Sequence, residues 1–145
     1  PEKYNAGYLG RALAERMSEE KGSKALFLRA SVGSEQLPLA LAEKSLPFLD
    51  IAVYDTYYCG DNSPRIKALI EAYDFDLAVF TSASTVRGFA QALPGIDLRP
   101  IKALCIGEQT AAEAKKLFAA IYISSNATID SLADKMAELA VIGEI

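Results

Sequence analysis

The chain has 145 residues, of which 51% are hydrophobic and 23% charged. This is the size and composition of one folded globular domain, and it excludes a disordered chain. The net charge of −4, with no Lys/Arg cluster, argues against nucleic acid as a partner, and the lack of histidine excludes Ser-His and Cys-His nucleophiles and most zinc sites.

The first part of the chain is predicted to run helix, strand, helix, strand. An apolar stripe with helical spacing predicts a first helix between Asn5, its N-cap, and Gly22, which stops it. The apolar run at residues 24–30 fits a buried strand. Ser34 then caps a second helix, and residues 48–58, rich in β-branched and aromatic side chains, predict the second strand.

The rest of the chain repeats a strand-then-helix unit. Ser63 and Pro64 open a helix as N-cap and first residue. Strands are predicted at residues 76–81, 102–106 and 121–124, and helices at residues 85–93, at 111–119 and after the N-cap Thr128. Strands without polar alternation, each followed by a helix, indicate a parallel sheet covered on both faces. We therefore expect an α/β fold with one doubly wound, five-stranded, flavodoxin-like sheet in strand order 2-1-3-4-5.

In such a fold ligands bind beyond the carboxyl ends of the strands. Five loops fall there, at residues 30–34, 54–62, 82–85, 107–110 and 124–128, and all carry hydroxyl groups. The richest follows the third strand in VFTSASTVRGF, where a helix start offers unpaired N–H groups to an anion. The simpler interpretation is that Ser82 or Ser84, like Thr110 and Thr128, only caps a helix. The cations expected near this rim are Arg29, Arg87 and Lys102.

Cysteine usage and hydropathy bear on the compartment. Cys59 and Cys105 have neither a disulfide framework nor the spacing of a metal knuckle, so we expect no metal and a reducing, cytoplasmic setting. No apolar run approaches the ~20 residues that span a bilayer, so no membrane association is expected. The first residue is Pro1 rather than Met, as expected of a piece of something longer.

Four segments together resemble uroporphyrinogen-III synthase. They are VYDT at residues 53–56, DLAVFTSASTVRGF at 76–89, CIGEQTAAEA at 105–114 and ATIDSLADKM at 127–136. They are similar to the family's VY-x-T, D-x-x-x-FTS-x-S-x-V-x-x-F, IG-x-x-TA-x-A and TI-x-x-L. One departure is RASVGSE at residues 29–35, which lacks the later arginine of the family's glycine-rich turn and weakens the case for a substrate contact there.

The resemblance implies an enzyme with no metal or organic cofactor. Its small-molecule substrate is hydroxymethylbilane, a linear tetrapyrrole with eight carboxylates, which is closed to uroporphyrinogen III with inversion of ring D and loss of water. Tyr54 matches the family's candidate acid. The positions that match the family's substrate-holding loops, or stand beside them at a helix start, are Ser82, Ser84, Thr85, Gly107, Thr110 and Thr128.

The resemblance covers the second of the family's two sequence halves. It implies that residues 1–56, with the first helix and two strands, belong to one lobe, that residues 57–63 cross between lobes, and that residues 64–145 belong to the other lobe. Such a chain either closes as one five-stranded domain or pairs as a homodimer by swapping halves.

Two other functions stay open at this point. The chain could be a non-catalytic flavodoxin-like domain that binds phosphate or FMN with SAST, although flavodoxins carry that loop after the first strand. It could also be an inactive fragment of the synthase that needs its missing partner.

Overall fold

A computed structural model describes residues 5–145, which form six helices and five strands. In chain order these are α1 (Ala6–Glu19), β1 (Ala25–Ala30), α2 (Gln36–Glu43), β2 (Phe48–Tyr54), α3 (Ser63–Ala72), β3 (Ala78–Phe80), α4 (Ala83–Ala92), β4 (Lys102–Cys105), α5 (Glu108–Ala114), β5 (Ala120–Ile123) and α6 (Ile129–Val141). None of these helices combines the length and the apolar character needed to cross a bilayer.

The elements fall into two compact units. The first unit ends at Tyr57 and contains β1 and β2, and the second unit is Tyr58–Ile145 and contains β3, β4 and β5. Each unit has its own parallel sheet, of two strands in the first and of three strands in the order β3-β4-β5 in the second. The predicted mixed α/β class with parallel sheets is therefore confirmed.

The expected single sheet of five strands differs from this arrangement. The predicted order 2-1-3-4-5 requires four pairs of neighbouring strands. The structure contains three of them, β1–β2, β3–β4 and β4–β5, but not β1–β3, so the strands form two sheets. The ladder between β1 and β2 closes at Ala30 and Tyr54, and residues 55–62 are neither helix nor strand. The polypeptide thus leaves the first sheet before β3 begins the second.

Several observed element boundaries also differ from the predicted ones. The second strand ends at Tyr54 rather than residue 58, because its partner strand ends at Ala30. The fourth helix begins two residues early because Ser82 caps it, and the second and third helices have Glu35 and Asn62 at the N-cap in place of Ser34 and Ser63. The helix predicted at residues 111–119 occupies Glu108–Ala114 instead. The N-caps Asn5 and Thr128 are confirmed.

The first unit has a small core between its helices and one face of its sheet. Buried Ala14, Met17, Phe27 and Leu41 form this core, and Phe48 packs on Phe27 with ring centroids 5.5 Å apart. The helices α1 and α2 contact each other closely, since a Cβ added at Gly10 would lie 2.9 Å from Cβ of Ala40. Both helices of this unit are thus engaged beside the same core.

The second unit has a larger core. It is formed by side chains from β3, β4, α4, α5 and the loops between them, including Phe80, Val86, Cys105 and Phe118. On the opposite face of β4, Leu104 is fully buried, and α6 contacts that strand. The central strand of the second sheet is therefore covered on both faces.

Candidate functional site

Three of the predicted loops lie at one edge of the second sheet. Adjacent parallel strands β3, β4 and β5 all end there, and backbone hydrogen bonds join the loop starts. The N–H of Ile106 donates to the carbonyl of Phe80 at 3.0 Å, and the N–H of Ser124 donates to that of Cys105 at 3.0 Å. Six sequence-predicted site residues stand on these loops and the helices they open: Ser82, Ser84, Thr85, Gly107, Thr110 and Thr128.

The loop before α4 is a closed capping box. The hydroxyl of Ser82 accepts the N–H of Thr85 at 3.1 Å, and the hydroxyl of Thr85 accepts the N–H of Ser82 at 3.3 Å. The hydroxyls of Ser82 and Ser84 are 2.9 Å apart. Within residues 5–145 the N–H groups of Ala83 and Ser84 have no acceptor, so two backbone donors point out of this helix start. The capping interpretation is therefore confirmed for Ser82, and anion binding by the two remaining donors stays a prediction.

The other two loops touch each other. A Cβ added at Gly107 would lie 3.8 Å from Cβ of Ala127, which is ordinary contact. The hydroxyl of Ser124, only 6% exposed, lies 2.9 Å from the carbonyl oxygen of Ile106 and 2.8 Å from that of Asn126. This bridging role of Ser124 was not predicted, and its only sequence signal was its place at the end of a predicted strand.

The two threonines of these loops differ in access. Thr128 is exposed and caps α6, its hydroxyl accepting the N–H of Ser131 at 3.2 Å. Thr110 is only 4% exposed. A ligand at the surface can thus reach the hydroxyl of Thr128 far more readily than that of Thr110.

The cations near this rim are already balanced by carboxylates. Arg87 on α4 pairs with Glu113 of α5 at 3.5 Å, and Lys116 pairs with the same carboxylate at 2.9 Å. Lys116 first, and Arg87 to a smaller extent, hold the pKa of Glu113 below its usual range. The prediction that Lys102 lies at the rim is wrong, since it begins β4 at the opposite end of the strand and donates to the carbonyl of Glu144.

Tyr54 belongs to the first unit. It is the last residue of β2 and is 60% exposed. A register shift between Arg29 and Ala30 pairs it with Ala30, and its carbonyl accepts the N–H of Ser31 at 2.9 Å. Its hydroxyl has no hydrogen-bond partner within residues 5–145, so the phenol proton is available to a ligand.

Arg29 in the same unit is engaged in ion pairs. Its guanidinium lies 2.6 Å from the carboxylate of Asp50 and 3.5 Å from that of Glu35. The hydrogen bond from Arg29 lowers the pKa of Asp50. This pairing occupies the cation that the sequence suggested for an anionic ligand.

A shallow depression of about 330 Å³ runs along the start of α6. Its lining includes Thr128 and Lys135 but also the carboxylates of Asp130, Asp134 and Glu138. Three like charges repel an anionic ligand, so this depression does not suit a polycarboxylate.

Neither Cys105 nor the possible metal ligands of residues 5–145 form a reactive site. Burial raises the pKa of the Cys105 thiol to about 11, which keeps it protonated and unreactive at neutral pH. Within residues 5–145, no three His, Cys, Asp or Glu side chains are grouped so as to hold a metal ion.

One contact near the rim had no clear sequence signal. Tyr58 lies against α4, where a Cβ added at Gly88 would come within 2.9 Å of its ring carbon Cδ1. The Nε of Arg87 donates to the Tyr58 hydroxyl at 3.2 Å. The isolated glycine inside a helical pattern was the available hint, since glycine is less favourable than alanine in a helix unless packing needs the space.

The chain resembles known proteins in both sequence and structure. The family model described as uroporphyrinogen-III synthase HemD matches residues 1–134. The porphyrin biosynthesis protein HemD of Ruminiclostridium josui is 34% identical over 139 residues, which are 96% of this chain and 27% of that protein. The chain thus spans about a quarter of the curated relative.

Two solved structures share the fold. The crystal structure of uroporphyrinogen-III synthetase from Helicobacter pylori matches with a TM-score of 0.66 and 18% identity, over 90% of this chain and 59% of that one. Uroporphyrinogen III synthase of Thermus thermophilus matches with a TM-score of 0.54 and 18% identity, over 81% of this chain and 51% of that one. The chain therefore spans little more than half of each solved relative.

Proposed function

The chain belongs to the uroporphyrinogen-III synthase family, and on this premise we propose that it forms the C-terminal part of an enzyme that cyclises hydroxymethylbilane to uroporphyrinogen III. The reaction inverts ring D and releases water. The observation that carries the proposal is the family match over residues 1–134, which includes Tyr54 and all three loops of the second unit. In this proposal the enzyme is a cyclising hydro-lyase of the cytoplasm that uses no cofactor.

The loops of the second unit hold the substrate in this proposal. Hydroxymethylbilane carries eight carboxylates, and backbone N–H groups at helix starts bind carboxylates without a basic patch. The free N–H groups of Ala83 and Ser84 and the exposed hydroxyl of Thr128 support this role. We assign the binding of the substrate carboxylates to six residues of these loops: Ser82, Ser84, Thr85, Gly107, Thr110 and Thr128. Holding the chain of four rings folded directs closure to the type III product, because the position of the reacting carbons decides which bond forms.

Tyr54 is the proton donor in this proposal. Loss of the hydroxymethyl oxygen as water needs one proton at that oxygen. The cationic azafulvene left behind is the electrophile, and the electron-rich pyrrole of ring D attacks it to give a spiro intermediate. The exposed phenol of Tyr54, free of other hydrogen bonds, supports this assignment. A donor in this role typically contributes 10²–10⁴-fold to a rate.

We also propose the lobe organisation implied by the family. Residues 1–56 belong to one doubly wound lobe, residues 57–63 cross between lobes and residues 64–145 belong to the other. Two separate sheets and a boundary between units at Tyr57 and Tyr58 support this division. In this proposal the isolated chain can form a homodimer, in which two copies exchange halves and each copy completes a lobe of the other.

The test is a product analysis with hydroxymethylbilane. The isolated chain is assayed beside a chimera in which it replaces the matching segment of the Ruminiclostridium josui HemD protein. The type III isomer is resolved from the type I isomer, which forms by spontaneous closure. We expect type III product from the chimera, and from the isolated chain only if two copies complete each other. A folded chimera that yields type I product alone contradicts the proposal.

A further inference from the structure

The turn after β1 is bonded to the end of β2 at two consecutive residues. The N–H of Ser31 donates to the carbonyl of Tyr54 at 2.9 Å. The hydroxyl of the same serine donates to the carboxylate of Asp55. One residue of the turn thus holds the chain on both sides of the link between Tyr54 and Asp55. We call these two hydrogen bonds the Ser31 clip.

The Ser31 clip lies where the pairing of the two strands shifts by one residue. Arg29 pairs with Ala52, but the next residue, Ala30, pairs with Tyr54, so Val53 has no partner in β1. An extra residue of this kind bends its strand and redirects the side chains beside it, and such bulges are frequent next to active sites. The ladder ends at this pair, so the clip extends the hold on β2 by one residue.

The turn that supplies Ser31 is itself held by Arg29. The guanidinium of Arg29 lies 3.4 Å from the carbonyl oxygen of Ser34 and 3.5 Å from the carboxylate of Glu35. The turn closes round this group so tightly that a Cβ added at Gly33 would lie 2.6 Å from its Nη1. Because the turn is fixed at its far end, Ser31 can act as a support for the strand beside it.

We propose that Ser31 and Asp55 are positioning residues that hold Tyr54 in the orientation for proton transfer. This inference rests on the function proposed above, in which the phenol of Tyr54 protonates the leaving hydroxyl group. A proton donor must lie within about 2.6–3.2 Å of its acceptor. Tyr54 is 60% exposed, so packing constrains its side chain little and the backbone beneath it supplies the constraint. Misplacement by about 1 Å can cost roughly 100-fold in rate.

The kinetic test uses the enzymatically active chimera with hydroxymethylbilane. Ser31→Ala should lower kcat roughly tenfold and leave KM within about twofold, because the clip orients a proton donor and binds no substrate. Ser31→Thr keeps the hydroxyl and should retain most of the activity. Ser18→Ala is the matched control in the same unit. The Ser18 hydroxyl donates to the carbonyl of Ala14 at 2.6 Å, and its loss should leave kcat unchanged.

Two further comparisons separate positioning from other roles. In a Tyr54→Phe background, Ser31→Ala should lower kcat no further, because the hydroxyl that the clip orients is gone. Asp55→Asn keeps an oxygen that accepts the Ser31 hydroxyl, so it should retain most of kcat. Asp55→Ala removes the acceptor and should lose about as much as Ser31→Ala.

A measurement that needs no activity keeps this inference separate from the proposed function. Amide ¹⁵N relaxation of the full chain gives the backbone order parameter at Tyr54. It should fall from the rigid value of about 0.85 towards the flexible range below about 0.6 in Ser31→Ala, and stay high in Ser31→Thr. Circular dichroism checks that each variant is folded.

Several results would overturn the positioning role. One is a Ser31→Ala variant in which either kcat or the order parameter of Tyr54 is unchanged. Another is an equal loss of kcat from Ser31→Ala in the Tyr54→Phe background. A third is an Asp55→Asn variant that loses as much as Asp55→Ala, which would assign the effect to the charge. A folded chimera that yields type I product alone contradicts the proposed function instead, and the relaxation measurement then decides whether Ser31 holds Tyr54.

Discussion

The two units treat their sheets differently. In the second unit the central strand is covered from both sides, and Leu104 is fully buried between the sheet and α6. In the first unit Leu28 has the same residue type on a parallel strand but is 60% exposed. The same kind of buried-strand sequence thus has two outcomes, and the difference is the number of helices available around each sheet.

The largest expected effect compares these two leucines. Leu104→Ala should lower the free energy of unfolding by about 2–5 kcal/mol, because it leaves a cavity in a packed core. Leu28→Ala should change it by no more than about 0.5 kcal/mol, as for other exposed positions. Urea unfolding followed by circular dichroism measures both. Similar losses for the two variants would mean that the face of the first sheet that carries Leu28 is covered in solution.

The second prediction compares the chemical roles proposed for the units. Tyr54→Phe in the enzymatically active chimera should lower kcat roughly 100-fold, since it removes the proton donor and keeps the ring. Ser84→Ala should instead raise KM roughly tenfold with little change in kcat, because it removes one hydrogen bond to a bound carboxylate. Steady-state kinetics separates the two. Unchanged kcat in Tyr54→Phe removes the tyrosine from the acid role.

The third prediction concerns the start of the second unit, where Tyr58 lies against Gly88. Gly88→Ala displaces the Tyr58 ring, yet alanine favours a helix over glycine by about 1 kcal/mol. Overall stability should therefore stay within about 1 kcal/mol, while amide exchange at residues 58–62 becomes faster. Hydrogen exchange with mass spectrometry detects this. Arg87→Gln keeps the contact surface at Gly88 and removes the bond to the Tyr58 hydroxyl together with the ion pair to Glu113. Because the Tyr58 ring stays in place against Gly88, its effect on exchange at residues 58–62 should be smaller.

The smallest effect concerns acid stability of the first unit. The hydrogen bond from Arg29 lowers the pKa of Asp50 in the folded chain, so this pair stabilises the fold above the usual carboxylate pKa of about 4. That contribution is lost as pH falls through the lowered folded pKa. Thermal unfolding between pH 7 and pH 2 should show a shallower acid decline in Asp50→Asn. Parallel curves for the two proteins would contradict the role of this pair.

Much of the local structure was predictable from residue patterns. All six helices and five strands of residues 5–145 were anticipated, because apolar spacing and capping residues act over one or two turns. Asn5 and Thr128 cap the helices as predicted, and Ser82 was one of two predicted caps. The three loops of the second unit were anticipated at one sheet edge, since parallel strands end on the same side. The acid role of Tyr54 and the substrate contacts of the loops stay predictions.

The patterns could not supply the pairing between distant segments. Whether β1 has β3 as a neighbour depends on where the chain leaves the first sheet. Residue patterns alone do not decide this, and only the family resemblance implied a crossing at residues 57–63. Residue patterns also did not distinguish the three predicted cations from one another. In the structure Arg29 pairs with Asp50 and Arg87 pairs with Glu113, whereas Lys102 lies at the start of β4. The order of elements and the family thus follow from the residues alone, because both are written in short-range patterns. The division into two sheets, the exposure of Leu28 and the partners of each charge arise from long-range packing, where the energy depends on which surfaces meet.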